Sequence, residues 1–236
     1  MERNIIITGA GRGLGYSITE KHVKLGDSVN ALARQMTDEL DKLAKSSKNL
    51  KLHICDISST QSVEEAAKGI LAEGNRIDIL YNNAAIYSRE DRTGLAGTDL
   101  DACMRMYDIN TIGPLRVCKA LLPLLQKGSL IVNISSEAGS IGACRRKQEY
   151  SYCMSKAALN MGTKILSNEL WDRSVRVIAI HPGWVRTRMG GPEAFESKYS
   201  VSPEESAEGI IDIALNIGSI PQDRMFMQYN GELMPW

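Results

Sequence analysis

Nowhere in these 236 residues is there an unbroken run of about 18 apolar side chains, the length a bilayer-crossing helix needs, so a membrane-spanning role is excluded. There is no excess charge: 28 Lys and Arg balance 28 Asp and Glu. A nucleic-acid-binding module with a basic stripe is therefore not expected, and only a local basic pocket could serve an anion. Cysteine is scarce and follows no framework: Cys55, Cys103, Cys118, Cys144 and Cys153 are odd in number and lack CxxC spacing. That argues against disulfides and structural zinc and for free thiols. His22, His53 and His181 are too scattered for a metal-ligand set, so no metal is expected. No repeat, low-complexity tract or linker divides the chain. The opening MERNIIITGA reads as a structural strand and leaves no room for a cleavable targeting segment, so the expected location is cytoplasmic.

What is present is alternation. With 43% hydrophobic content the chain can bury a sizeable core as one domain over residues 1–236. Strand-like runs fall at 3–8, 28–33, 50–54, 77–81, 128–135, 175–181 and 224–228, with helical patterns between them. In SPEESAEGIIDIALNIG, Ser202 can cap, Pro203 suits the first helical position, Glu205 completes a capping box and Gly218 can terminate. Such alternation predicts an α/β fold: a doubly wound parallel sheet of about seven strands with helices on both faces. Ligands in such folds bind at the carboxyl ends of the strands. The first of those ends carries TGAGRGLG, Thr8 to Gly15, whose glycines let a ligand approach the main chain at a helix N-terminus.

Further short motifs lie at other strand ends: NNAA (Asn82 to Ala85), ISS (Ile134 to Ser136) and HPGWVRT (His181 to Thr187). Each alone could be a turn. The helix after the fifth strand carries YCMSK, which puts Tyr152 and Lys156 four apart on one helical face. Together with the asparagine of DINTIGP, these motifs resemble the short-chain dehydrogenase/reductase family, in order and over nearly the whole chain. WVRTRMGG, SPEESAEG and the C-terminal FMQYNGELMPW are similar to the C-factor and sniffer-type carbonyl reductase branch.

The resemblance implies a Rossmann-type domain that binds a nicotinamide cofactor, with a catalytic tetrad of Asn110, Ser136, Tyr152 and Lys156. It implies a cofactor held by Gly9, Gly11, Arg12, Gly13, Leu14 and Gly15, by Arg34, by Asp56 and Ile57, by Asn83 and Ala84, by Tyr152 and Lys156, and by Pro182, Gly183, Val185 and Thr187. Asp56 would contact the adenine, or else cap the helix of DISSTQ. Asn110 would hold a water between the lysine and a helix backbone; a helix kink at NTIG is its other reading, and both can hold.

A free tyrosine loses its proton near pH 10, so nearby positive charge from Lys156 is expected to favour the phenolate. Ser136 would hydrogen-bond the substrate oxygen while Tyr152 protonates it. Sixteen positions separate Ser136 from Tyr152, a few more than is common in the family, with the extra residues around CRRKQE. Tyr150 competes on spacing from serine, but it would face elsewhere on the helix from Lys156. Ala85 stands where the family more often has glycine. Strand alternation should turn Ser135 away from Ser136.

Cofactor choice rests on ALAR: Ala33 occupies the position of the acid that would bind the ribose of NAD, and Arg34 follows it. With Arg12 this makes two guanidinium groups for a 2′-phosphate, so NADP(H) is expected. His181 reads as structural, and Cys153 points about a hundred degrees around the helix from Tyr152. Residues 188–201 would form a short, mobile substrate flap by resemblance. The helical pattern of DLDACMRMYDINTIGPLRVCKALLPLLQ suits core or a dimer surface. A homodimer is possible, and the insertion with Arg145, Arg146 and Lys147 argues against a tetramer. The expected activity is NADPH-dependent reduction of a small-molecule aldehyde or ketone. A non-enzymatic signalling or cofactor-sensing protein of the C-factor kind is the alternative.

Overall fold

Ile5, Ile6 and Ile7 are all completely buried, yet they belong to two different cores. Successive side chains of a strand point to opposite faces. Ile5 and Ile7 therefore pack with Leu14, Ile18 and Ile210 on one side, while Ile6 packs with Val63, Ile70, Val117 and Leu121 on the other. Burying each isoleucine contributes about 1.5–3 kcal/mol. A strand apolar on both faces has to lie in the middle of a layered structure.

A computed structural model describes residues 2–236 and shows that layering. The chain runs β1 (Asn4–Thr8), α1 (Gly13–Lys24), β2 (Ser28–Ala33), α2 (Asp38–Ser46), β3 (Leu50–Ile54), α3 (Thr60–Glu73), β4 (Ile79–Asn82) and α4 (Leu100–Tyr107). It continues through α5 (Gly113–Leu121), β5 (Leu130–Ile134), α6 (Tyr150–Glu169), β6 (Arg176–His181), β7 (Trp184–Val185), α7 (Pro192–Glu196), β8 (Ser200–Val201), α8 (Pro203–Leu215) and β9 (Phe226–Gln228). Seven strands form one parallel sheet in the order β3-β2-β1-β4-β5-β6-β9. The fold is thus the doubly wound, single-domain arrangement expected. Strand order reverses between β1 and β4, so the crevice beyond their carboxyl ends is the place for a ligand.

The differences from expectation are local. β4 begins at Ile79 because the Ile77 amide bonds the Leu124 carbonyl outside the sheet. α8 is capped by Ser202, whose hydroxyl accepts from the Glu205 amide at 3.0 Å, but the box is only half built because Glu205 serves Tyr229. That helix ends at Leu215, before Gly218, which lies in a separate turn over Ile217–Ser219. The segment 188–201 contains α7, and its β8 pairs with β7.

At the amino ends of the strands a polar network runs inward from half-buried Arg3 to fully buried His22 and Tyr81. Arg3 grips Asp27 through two bonds of 2.8 and 2.9 Å, Asp27 meets His22 Nδ1 at 2.7 Å, and His22 Nε2 meets the Tyr81 hydroxyl at 3.0 Å. Burial raises the Asp27 pKa, but the bonds from Arg3 and His22 outweigh it and hold the carboxyl below its usual range.

Candidate active site

The glycine-rich turn is shaped by backbone conformations that side chains rarely adopt. Gly9 has φ +69° and Gly13 φ +54°, and a Cβ at Gly9 would stand 2.8 Å from the Ala84 Cα. A Cβ at Gly15 would collide with the Gly9 carbonyl, so the start of α1 crosses directly over the end of β1. α1 begins after an extended Arg12 with no side-chain cap and no acidic residue in its first turn. Its leading amides and the positive end of its dipole are thus presented at the carboxyl edge of the sheet, the arrangement that receives a phosphate. Leu14 behind them is buried in the core.

Across the switch point, Thr8 and Asn83 clamp β1 to β4. The Asn83 and Ala84 amides both donate to Thr8 Oγ1 at 3.0 Å, and Asn83 Nδ2 donates to the Thr8 carbonyl at 3.0 Å. Asp56 does not cap the following helix: Ser59 does, accepting from the Ser62 amide. The Asp56 carboxylate takes the Ser58 amide and hydroxyl, which lower its pKa, and the charge of nearby Arg34 adds to the effect. Ile57 is buried against Gly113. Ala33 is buried at the end of β2, and Arg34 and Arg12 are both exposed; among the described residues neither guanidinium has a carboxylate partner. Pro182, Gly183, Val185 and Thr187 follow β6 at the same edge, and Thr187 lies over Gly13, where an added Cβ would come within 3.1 Å of its methyl group.

Ser136, Tyr152 and Lys156 come together beyond β5. Ser135 Oγ donates to Asn160 Oδ1 at 2.6 Å, whereas the Ser136 hydroxyl accepts from the Ala138 amide at 3.1 Å and lies near the Tyr152 phenol. Lys156 is 2% exposed, its ammonium donates to the Ile134 carbonyl at 2.7 Å, and it lies 5.9 Å from the centre of the Tyr152 ring. Tyr150, two residues earlier, is exposed. Asn110 lies in a single π-turn, Asp108–Ile112, between α4 and α5. Its Oδ1 accepts from the Ile86 amide at 2.8 Å, and its Nδ2 donates to the Ile86 carbonyl and to Ser155 Oγ.

Electrostatics correct one expectation. Burial drives the Tyr152 phenol up to about 12, against the Ser136 hydrogen bond that lowers it, and brings Lys156 down to about 7. In the protein alone, Lys156 therefore does not pull the phenol below its ordinary value, because desolvation penalises both charges together. Tyr152 keeps its proton at neutral pH. Cys153 is likewise held as a thiol, pushed up to about 11 by burial. His181 is neutral, lowered to about 4 by burial, and its Nδ1 is buried without a hydrogen-bond partner.

A family model for short chain dehydrogenase matches residues 3–196. This chain belongs to the short-chain dehydrogenase family. The chain is similar in structure to the NADPH-bound carbonyl reductase from chicken fatty liver, with a TM-score of 0.89 at 30% identity over 100% of this chain and 99% of that one. It is similar also to the carbonyl reductase Sniffer of D. melanogaster, with a TM-score of 0.87 at 26% identity over the whole of both chains. In sequence it is 35% identical over 162 residues to C-signal of Myxococcus xanthus, spanning 68% of this chain and 93% of that protein. These likenesses support the C-factor and sniffer-type branch. No helix among the described residues is long and apolar enough to cross a membrane.

Two site features were not foreseen from sequence. Asp91, buried in a short turn after β4, accepts from the amides of Ser151 and Tyr152, and Tyr87 sets its ring edge-on to Tyr152 at 5.1 Å. Both sit in SREDRTG and its flank, which carry no periodic pattern and no motif.

Proposed function

We propose that this dehydrogenase reduces an aldehyde or ketone with NADPH, with Tyr152 as proton donor. The observation that carries the reading is the meeting of Ser136, Tyr152 and buried Lys156 at the carboxyl edge of the sheet, beside the uncapped N-terminus of α1. When bound, the nicotinamide supplies the hydride. The remaining work falls to the chain. Ser136 Oγ orients the carbonyl oxygen by a hydrogen bond. Tyr152, held protonated by burial, gives its proton to that oxygen as negative charge develops. Lys156, anchored by the Ile134 carbonyl, keeps further donors for a cofactor ribose and offers positive charge to the phenolate left behind. Asn110, its side chain engaged by Ile86 and Ser155, would complete the tetrad by holding a water, as the family resemblance implies.

The residues present fit an NADP(H) group. The Gly9–Gly15 turn and the α1 amides suit the pyrophosphate, Asp56 and Ile57 the adenine, Asn83 and Ala84 the wall behind the ribose, and Pro182 to Thr187 the nicotinamide side. Arg34 at the end of β2 and Arg12 in the glycine-rich turn, both free of carboxylate partners among the described residues, suit the 2′-phosphate. The test is turnover with NADPH against a panel of aldehydes, ketones and quinones. Cofactor binding without turnover of any of them would favour the signalling reading, to which the likeness to C-signal lends its weight.

The residues 188–201 form the substrate flap, tied down in this conformation by ion pairs of Glu193 with Arg89 at 3.2 Å and Arg92 at 3.5 Å. A homodimer would use the face of α4 and α6 where Leu100, Met104, Met154, Met161 and Ile165 are each more than half exposed. Light scattering at micromolar concentration should show a dimer or monomer; a stable tetramer would contradict this.

A further inference from the structure

The catalytic helix α6 has no cap of its own. The residue before it, Glu149, has φ +67°, a left-handed conformation that is costly for a residue with a side chain, and it makes no capping bond. Its carboxylate is turned aside, accepting from the Tyr87 hydroxyl at 2.5 Å and pairing with Arg146 and Arg92. The leading amides of α6 are instead taken by an acid some sixty residues earlier. Asp91 Oδ1 accepts from the Ser151 amide at 3.2 Å and the Ser151 hydroxyl at 2.9 Å, Oδ2 accepts from the Tyr152 amide at 3.0 Å, and the Asp91 carbonyl accepts from the Glu149 amide at 2.9 Å. The residue is 6% exposed. These bonds are the ones an N-cap side chain makes to the second and third residues of a helix, here supplied from another segment.

We propose that Asp91 is the positioning residue for Tyr152: it caps α6 from outside the helix and so sets the height and rotation at which the phenol meets Ser136 and the substrate oxygen. The inference rests on the reading of Tyr152 as proton donor. Three features make it more than a helix cap. One of the two captured amides belongs to Tyr152 itself. The same segment places Tyr87 edge-on against the Tyr152 ring, with an interplanar angle of 80°, so backbone and side chain are fixed together. And the acid is a carboxylate with both oxygens engaged, so no neutral side chain of the same shape can make all the same bonds. Arg92, next in sequence, joins Tyr87, Glu149 and the flap residue Glu193, so flap and catalytic helix share one anchor.

The test compares Asp91→Ala and Asp91→Asn in the full chain, read by turnover, NADPH affinity and amide hydrogen exchange at residues 151 and 152. Asp91→Asn is isosteric and keeps one acceptor oxygen for Ser151, but it turns an NH2 group toward the Tyr152 amide. At a temperature well below melting, Asp91→Ala should lower kcat about tenfold to a hundredfold, the scale of a small misplacement of a reacting group. Asp91→Asn should recover part of that loss. NADPH affinity should change much less than kcat in both, because most of the cofactor cradle, the Gly9–Gly15 turn with Arg12, Arg34 and Asp56, lies outside α6. Exchange at 152 should quicken in both variants, and at 151 in Asp91→Ala alone. Faster exchange with unchanged kcat would reduce Asp91 to a structural cap and overturn the proposal, as would unchanged exchange. If Asp91→Ala fails to fold, the asparagine variant decides by the same readouts. Tyr152→Phe run alongside keeps the two readings apart: full turnover in that variant removes Tyr152 as donor whatever the amide exchange shows.

Discussion

Two buried polar networks sit at opposite ends of the same sheet, and they are finished differently. At the amino end, Arg3, Asp27, His22 and Tyr81 close on one another, and Asn49 Nδ2 ties the Asp27 carbonyl into the turn at 2.7 Å. At the carboxyl end, buried Lys156 has one protein acceptor, and Asn82 Oδ1 and His181 Nδ1 have no hydrogen-bond partner. Buried polar atoms are nearly always paired in folded proteins. A network that closes on itself stabilises; one that keeps free valences at the carboxyl edge of the sheet suits a ligand. The contrast also appears in the titrations: Asp27 remains a carboxylate because its partners outweigh burial, whereas Lys156 is brought to about 7 because nothing outweighs it.

The comparison can be broken by disabling one end at a time. The largest expected effect is at the carboxyl end: Lys156→Met should lower carbonyl reduction about a hundredfold to ten-thousandfold while leaving the fold intact, checked by steady-state kinetics beside circular dichroism. At the amino end, Asp27→Ala leaves His22 and Arg3 without their acceptor and should cost about 3–5 kcal/mol of stability, read from urea unfolding, with little change in kcat for whatever remains folded. A smaller effect is expected at the rim of the cofactor site. Arg34→Ala should weaken NADPH binding about tenfold and leave NADH binding nearly unchanged, the loss of one charge-assisted hydrogen bond in a solvated position. Equal affinity of the unmodified protein for the two cofactors would remove the 2′-phosphate reading.

A pH dependence of stability is also expected in the cofactor-free protein. Lys156 has a folded pKa of about 7, below its ordinary 10.5, so between those values the unfolded chain binds more protons and stability rises with pH. Tyr152 acts in the other direction above its ordinary 10.0, because its folded pKa of about 12 makes the folded chain the better proton binder there. Denaturation midpoints should therefore climb from neutral pH toward about pH 10 and fall beyond it, and Lys156→Met should flatten the climb. A midpoint falling steadily from pH 7 would contradict the buried, unpaired state of the lysine.

How much of this was legible in the sequence follows the range of the interactions. β2 and β3 match the expected bounds because their patterns are local: apolar runs ended by turn residues. The separation of exposed Tyr150 from Tyr152 follows from helical periodicity. Asn83 was read as a cofactor contact, yet its side chain spans 75 residues to the Thr8 carbonyl, a pairing only the sheet order creates. Asp91 stayed hidden for the same reason: it lies in an aperiodic loop and bonds helix amides sixty residues away. The charges of Tyr152 and Lys156 could be named from sequence, but the direction of the phenol's shift depends on burial that no spacing reveals.

The most direct measurement deletes one hydroxyl from each network and reads the same two quantities. Tyr81→Phe removes the oxygen that meets His22, and Tyr152→Phe removes the one beside Ser136; for each, carbonyl turnover with NADPH and the urea unfolding midpoint are compared with the parent. Tyr152→Phe should fold, bind NADPH and lose about a hundredfold or more of its turnover, while Tyr81→Phe should keep its turnover and lose about 1–3 kcal/mol of stability. If turnover instead survives in Tyr152→Phe, or is abolished by the neighbouring control Tyr150→Phe, the carboxyl-end network is not the proton-transfer site.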